Sequence, residues 1–134
     1  MRVIVLVENT SISKDYKSKH GLCLYIETKK HKLLFDLGSN SLFLENAVKL
    51  GVNITDIDSV IISHGHNDHG GALKYFLENN AKANIYISRY AFEEYYANFL
   101  GMKWNVGLDR KLKDHPRIIL IEDEYVIDEE LQIF

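Results

Sequence analysis

The sequence contains a single cysteine, Cys23, which excludes a disulfide bond within the chain. Cys23 lies inside the apolar run 21–26, so we expect a buried, unreactive thiol. Long apolar runs are also lacking: the first one, residues 3–7, is much shorter than the roughly 20 residues of a membrane helix and too short for a signal peptide. We therefore expect a cytoplasmic protein without a membrane partner.

Charge of one sign is scarce as well. The formal net charge is −3 and the lysines are scattered along the chain, so nucleic acid is not expected as an electrostatic partner. The sequence shows no internal repeat, low-complexity tract or linker. With 134 residues, 46% of them hydrophobic and 26% charged, it is typical of one soluble globular domain, and we expect residues 1–134 to form a single domain.

What the sequence concentrates is metal ligands. Three histidines and one carboxylate occupy residues 64–69: His64, His66, Asp68 and His69. The β-branched run 58–62 before them predicts a buried strand, and residues 71–79 after them predict a helix. The cluster is thus expected on a loop at the carboxyl end of a strand, which is where ligands bind in open α/β sheets.

The spacing of these residues favours a metal site. His64 and His66 are two positions apart, so on an extended segment both imidazoles can reach one ion at about 2.0–2.1 Å. Asp68 and His69 follow a turn that can point them at a second position. Clustered groups of this kind have no fold-stabilising use that an apolar residue would not serve better.

The pattern H-x-H-x-D-H after an apolar strand resembles the signature of the metallo-β-lactamase superfamily. Residues 33–38 resemble its strand that ends in Asp and Gly, and residues 61–64 resemble its strand before the ligands. A finer match is to the branch labelled dihydropterin ribofuranosylaminobenzene-phosphate synthase-like, at residues 20–22, 34–38, 46–47 and 63–66. The resemblance covers nearly the whole chain and specifies the superfamily more strongly than the substrate.

This resemblance implies an α/β (α+β) fold: one half of an αββα sandwich, with a mixed sheet and helices on one face. The chain would be the N-terminal half. His64 and His66 would hold a first ion, Asp68 and His69 a second, and Asp68 would also be catalytic by orienting water or a proton. The resemblance places Asp36 behind the site, where its carboxylate accepts a hydrogen bond from a ligand imidazole. One or two Zn²⁺ ions are expected, and Fe or Mn would also suit imidazole with carboxylate.

The remaining ligands of such a site would come from a C-terminal half. His115 is the only histidine after the cluster, and it lacks the flanking residues of the superfamily pattern, so we do not expect it to bind metal. Two ligands per ion hold metal weakly. We therefore expect the chain alone to be inactive and to pair as a homodimer or with the missing half, since an isolated half exposes a sheet face and strand edges. Residues 131–134 stop in mid-pattern, which favours truncation.

The function expected is that of a metal-dependent hydrolase, in which activated water attacks an ester, thioester, lactone or phosphoester of a small-molecule substrate. Two alternatives remain open. One is a synthase-type transferase acting on a pterin or phosphoribosyl compound. The other is a non-catalytic metal-binding or dimerisation module.

Other patterns give expectations about single elements. Residues 3–7 predict a strand covered on both faces, and residues 39–50 predict an amphipathic helix. From Ser88 a helix is expected, because aromatic residues recur at helical spacing up to Phe99; they would form core, an interface or a substrate pocket. Residues 100–113 predict a loop or a mobile cover. His31 is expected in solvent, and His20 at an ordinary strand edge or lining the site.

Overall fold

The computed structural model describes residues 1–134. In chain order its strands are β1 (Arg2–Val7), β2 (Cys23–Glu27), β3 (Lys32–Phe35), β4 (Ser59–Ile62), β5 (Asn84–Ser88), β6 (Tyr96–Phe99), β7 (Met102–Asn105), β8 (Ile118–Ile121), β9 (Tyr125–Val126) and β10 (Gln132–Ile133). The helices are α1 (Leu42–Lys49), α2 (Asn67–Gly70) and α3 (Leu73–Asn79), with 3₁₀ turns at Ile54–Asp56 and Arg110–Asp114.

Six strands form one mixed sheet in the order β1-β2-β3-β4-β5-β8. Strand β2 runs antiparallel to both of its neighbours, β1 and β3, whereas β3, β4, β5 and β8 run parallel to one another. Strands β6 and β7 form a separate hairpin, as do β9 and β10. The mixed sheet with helices confirms the fold class expected from the sequence.

The main core lies between this sheet and its helices. Phe43 of α1 and Phe76 of α3 are both fully buried. Four strand residues join them in the core: Tyr25, Leu34, Val60 and Ile85. These four are paired directly from β2 to β5, and directly paired residues share a face of a sheet. None of the helices has the length and apolar composition of a membrane span.

Helix α1 confirms the amphipathic helix expected near residues 39–50. Leu42, Phe43 and Ala47 are buried on one side of it. Gly51 follows the helix with a φ of 71°, a left-handed conformation that glycine adopts without strain and that commonly ends a helix.

The expectation that β1 is covered on both faces is wrong. Strand β1 is the edge of the sheet and pairs only with β2. Leu6 and Val7 are buried, whereas Val3 and Val5 are 50% and 51% exposed. The apolar run 3–7 therefore forms an edge strand that exposes one face to solvent.

The prediction of a helix after Ser88 is also wrong. The chain instead makes turns and then the β6–β7 hairpin, whose strands are joined by Leu100 and Gly101. Both of these residues have positive φ, 51° and 75°, as in the two-residue turns whose twist suits a hairpin. Strand β7 and a 3₁₀ turn likewise occupy much of residues 100–113, where a loop was expected.

His31 is not solvated, contrary to expectation. Its side chain is 13% exposed and lies between two carboxylates, with Nδ1 3.1 Å from Asp58 and Nε2 2.8 Å from Asp128. Asp128 belongs to the turn that joins β9 to β10. Glu130 of the same turn accepts a hydrogen bond from the Thr28 hydroxyl at 2.7 Å, so the C-terminal hairpin is tied to the β2–β3 turn.

Candidate metal centre

The candidate metal centre lies at the carboxyl ends of β3 and β4. Because these strands are parallel neighbours, the residues that follow them come together at one edge of the sheet. Asp36 directly follows β3 and Ser63 directly follows β4. The Asp36 backbone N–H donates to the Ile61 carbonyl at 2.9 Å, which fixes the two strand ends side by side.

The clustered ligand residues converge. His64, Asp68 and His69 each offer one ligand atom, and these atoms all lie within 4.8 Å of one another. The rings of His64 and His69 have centroids 4.2 Å apart. His66 stands beside this group, with its ring centroid 4.8 Å from that of His64. The structure therefore groups His64 with Asp68 and His69, whereas the sequence suggested His64 with His66.

Asp36 is the anchor of this cluster. Its residue is fully buried, and its carboxylate accepts three hydrogen bonds of 2.7 Å: from the Ser63 backbone N–H, from the Ser63 hydroxyl and from His69 Nδ1. An ionised carboxylate only accepts, so His69 carries its proton on Nδ1. Its Nε2 is then left with a lone pair, and this atom lies 3.4 Å from Asp68 Oδ2.

Ser63 extends this control to His64. The Ser63 oxygen lies 2.9 Å from His64 Nδ1, and its single hydrogen is already donated to Asp36. The serine oxygen can therefore only accept from His64, which places the proton on Nδ1 and leaves Nε2 unprotonated. One buried carboxylate thus sets the tautomer of two imidazoles.

Electrostatics also keep His64 in its neutral form. Burial lowers its pKa below the ordinary value, and the neighbouring imidazoles of His69 and His66 disfavour a further positive charge beside them. Neutral imidazole is the form that binds a metal ion. His64 is therefore ready to coordinate without first losing a proton.

Glycine is required where residues 64–69, which we call the metal loop, meet the rest of the chain. A Cβ atom on Gly65 would lie 2.2 Å from the Ala91 carbonyl oxygen, and one on Gly21 would lie 2.2 Å from the Asp68 carbonyl oxygen. Gly21 also has a φ of 134°, which side chains rarely permit. Both glycines let neighbouring backbone approach the ligands directly.

His20 lies at the site. Its Nε2 is 3.1 Å from Asp68 Oδ2, and its side chain is 79% exposed. His20, Asp68 and His69 line a cavity of about 240 Å³. The sequence analysis gave a place for His20 at the site only as the lesser alternative. The residue that could have indicated it is Gly21, whose conformation brings His20 beside residues 64–69.

The β6–β7 hairpin is joined to the other side of the loop. The Asn67 backbone N–H donates to the Val106 carbonyl at 2.7 Å, and His66 forms a single β-bridge with Gly107. The Tyr95 ring stands edge-on to His66, with centroids 5.3 Å apart. Sequence patterns gave no sign of these contacts.

His115 is placed elsewhere. It precedes β8, so it lies at the amino end of the parallel strands, opposite the carboxyl ends that carry the cluster. Its Nδ1 accepts a hydrogen bond from the Arg117 backbone N–H at 3.2 Å.

The donor set fits a transition metal ion. It offers imidazole nitrogens with free lone pairs and a carboxylate, which is the ligand chemistry of zinc, iron and manganese sites. The supporting carboxylate, Asp36, is the kind of partner that ligand histidines have in metal sites.

Comparison with known proteins agrees with this geometry. Residues 19–132 match the family described as the metallo-beta-lactamase superfamily. An uncharacterized protein of Methanocaldococcus jannaschii is 32% identical over 132 residues, which cover 95% of this chain and 50% of that protein. From the same organism, 7,8-dihydropterin-6-methyl-4-(beta-D-ribofuranosyl)-aminobenzene-5'-phosphate synthase is 33% identical over 79 residues, covering 54% of this chain and 27% of the synthase.

Solved structures show the same fold. A metal-dependent hydrolase of the beta-lactamase superfamily aligns with a TM-score of 0.72 and 26% identity, covering 97% of this chain and 46% of that one. A quorum-quenching N-acyl homoserine lactone lactonase aligns with a TM-score of 0.59 and 19% identity, covering 82% of this chain and 48% of that one. The chain spans about half the length of these relatives, or less.

Proposed function

Because this chain belongs to the metallo-beta-lactamase superfamily, we propose that it supplies metal-binding residues of a metal-dependent hydrolase. The observation that carries the proposal is the convergence of His64, Asp68 and His69 in front of one buried carboxylate, Asp36. A structural role alone does not account for three such side chains held together at the end of a sheet.

His64, His66, Asp68 and His69 would hold the metal, with Zn²⁺ as the first choice and Fe or Mn as alternatives. When bound, the metal supplies Lewis-acid chemistry that makes water nucleophilic near neutral pH. The hydrogen bonds through Asp36 and Ser63 keep Nε2 of His69 and His64 available to it.

Asp68 would have a second role in the reaction. One of its oxygens lies between two imidazoles, 3.1 Å from His20 Nε2 and 3.4 Å from His69 Nε2. We propose that this oxygen accepts a proton from the attacking water or orients that water. The reaction class proposed is hydrolysis of an ester, thioester, lactone or phosphoester in a small molecule.

The remaining part of the site would come from outside these residues. The proposed ligand set resembles half of a two-metal centre, and the chain spans about half of its relatives. A C-terminal half or a second copy of the chain would complete it. Either partner would cover the exposed residues of β1 and supply further ligands.

A synthase-type transferase is the second candidate. It is favoured by one observation, the 33% identity over 79 residues to the dihydropterin synthase. The same fold hosts many chemistries, so the two candidates must be separated by substrate and not by architecture.

The test uses protein expressed from its complete coding sequence and loaded with Zn²⁺, Fe²⁺ or Mn²⁺. Lactones, thioesters and phosphoesters are assayed beside pterin precursors. We expect metal-dependent hydrolysis of at least one ester class, reduced about 100-fold or more in Asp68→Asn and unchanged in His115→Gln. Turnover of pterin precursors alone would favour the synthase, and metal binding without any turnover would favour a non-catalytic module.

A further inference from the structure

The β6–β7 hairpin has one apolar and one polar face. Residues paired across a hairpin share a face, and successive residues alternate between faces. The pairs Ala97–Trp104 and Phe99–Met102 therefore form one face. The pairs Tyr96–Asn105 and Asn98–Lys103 form the other. We call the first of these the apolar face.

The apolar face is not covered by the rest of the chain. Phe99 is 65% exposed, Met102 60% and Trp104 53%. The polar face, by contrast, makes contacts within itself, since the Lys103 ammonium group lies 4.2 Å from the centre of the Tyr96 ring. A group of large apolar side chains left open in this way marks a binding surface.

The apolar face begins at the metal centre. The Val106 backbone N–H donates to the Tyr95 carbonyl at 2.9 Å, which extends the hairpin by one pair toward its base. By alternation Tyr95 shares a face with Ala97 and Phe99. Tyr95 is also the residue whose ring contacts His66. The apolar face is therefore the one that meets the metal loop, and from Tyr95 to Phe99 it extends for about 13 Å.

We propose that the apolar face binds the acyl or aryl part of a substrate whose reacting group lies at the metal centre. This inference rests on the proposed function. A small molecule is favoured as the occupant because the face is continuous with the ligand residues. The apolar face is also small, since each strand of the hairpin has four residues, whereas stable protein interfaces use about 20–30 residues a side.

Trp104 provides a direct readout. It is the only tryptophan in the chain and it lies on the apolar face, so its fluorescence reports on that face alone. The probes are hexanoate, octanoate and decanoate, each with a carboxylate head and an apolar tail. We expect a blue shift of Trp104 emission, with Kd falling about two- to fourfold for each added methylene group.

Matched variants locate the effect. Phe99→Ser combined with Met102→Ser removes apolar surface beside Trp104 and should abolish the dependence on tail length. Asn98→Ser combined with Lys103→Ser alters the opposite face by the same number of residues and should preserve it. If the first double variant fails to fold, Met102→Ser alone should reduce the dependence by about half, since one of two contacts remains.

Repeating the titration with EDTA separates this inference from the proposed function. Tail-length dependence that persists without metal supports the apolar face even if the hydrolase assay fails. Binding that requires metal but is independent of tail length overturns the inference and leaves the hydrolase intact. A Trp104 shift that depends on protein concentration and not on the probes would mean that a second copy occupies the face, which also overturns it.

Discussion

The carboxylate of Asp36 accepts the Nδ1–H of His69 at 2.7 Å, across 33 residues of sequence. Asp36 is completely buried and adopts a φ of 57°, a left-handed conformation that is uncommon outside glycine but tolerated by aspartate. Its other hydrogen bonds go to Ser63. The strained strand end thus serves to hold the metal loop in position.

Replacing this carboxylate should weaken metal binding. In Asp36→Asn the side-chain volume is kept, but the amide has one acceptor in place of the two carboxylate oxygens that bind Ser63 and His69. We expect the affinity for Zn²⁺ to fall about 10- to 100-fold, as for other partners of ligand histidines. Competition with a chromophoric chelator measures this directly.

The control is Asp123→Asn, which changes an exposed carboxylate that follows β8. Its zinc affinity should equal that of the unmodified protein. Equal affinity in Asp36→Asn as well would show that Asp36 serves only the fold.

Ser63 should act through His64. In Ser63→Ala the His64 ring loses the acceptor for its Nδ1–H, so both tautomers become populated. We expect zinc affinity to fall by about tenfold, less than for Asp36→Asn because only one imidazole is affected. Nitrogen chemical shifts of His64 would show the mixture, and Ser63→Thr, which keeps the hydroxyl, should restore a single tautomer. A single tautomer in Ser63→Ala would contradict the relay.

The parts of this structure that the sequence revealed are those governed by local pattern. The run 58–62 predicted β4, apolar spacing predicted α1, and the density of ligands in residues 64–69 marked the metal loop. Asp36 was placed at the site by resemblance, since a carboxylate after a strand can also cap a turn. These features need no knowledge of distant neighbours.

The structural features that the sequence did not predict depend on contacts between residues far apart in the chain. His31 meets Asp128 across 97 residues, so nothing near His31 indicates burial. The aromatic residues between Tyr86 and Phe99 fit a helical spacing, but Leu100 and Gly101 turn the chain back into a hairpin. Alternation within two short strands and helical recurrence cannot be told apart over so few residues.

His31 should make stability depend on pH. Burial opposes its protonation, but the hydrogen bonds and charges of Asp128 and Asp58 outweigh burial and raise its pKa above 6.5. The contribution of His31 to folding stability is then fully present below pH 6.5 and is lost as the pH rises through the raised pKa. The pKa of Asp128 is lowered by the Glu130 backbone N–H and by His31. The contribution of Asp128 to folding stability is therefore lost in acid, as the pH falls through its lowered pKa.

The measurement is thermal unfolding of His31→Gln from pH 4 to pH 9. We expect Tm to fall by about 3–6 °C near pH 5.5 relative to the unmodified protein, with a smaller difference at pH 9. His115→Gln, which replaces a ring whose Nδ1 accepts a hydrogen bond from the Arg117 backbone N–H, should show no such pH dependence. A His31 effect of equal size at every pH would rule out the charged pairing.

Asn80 should be essential for stability. Its residue is 3% exposed, and every hydrogen-bonding group of its amide is used. It donates to the carbonyls of Ile54 and Ile57 and accepts from the backbone of Lys82 and Ala83 and from Arg117. Asn80→Ala removes all five of these hydrogen bonds at a buried position, so we expect a loss of about 2–4 kcal/mol in urea unfolding.

Asn79→Ala is the matched comparison next to it. Asn79 is exposed, and its amide makes one hydrogen bond, to the Tyr75 carbonyl at 2.8 Å. Its loss should change stability by no more than about 0.5 kcal/mol. Equal effects at the two positions would contradict the role given to Asn80.

The central claim is that residues 64–69 bind a metal ion through His64, His66, Asp68 and His69. Its most direct measurement is bound zinc per chain after equilibrium dialysis, for the unmodified protein and for His64→Ala combined with His66→Ala. We expect zinc in the unmodified protein, its loss in the double variant and its retention in His115→Ala. Zinc content that is unchanged by removing both histidines would contradict the account.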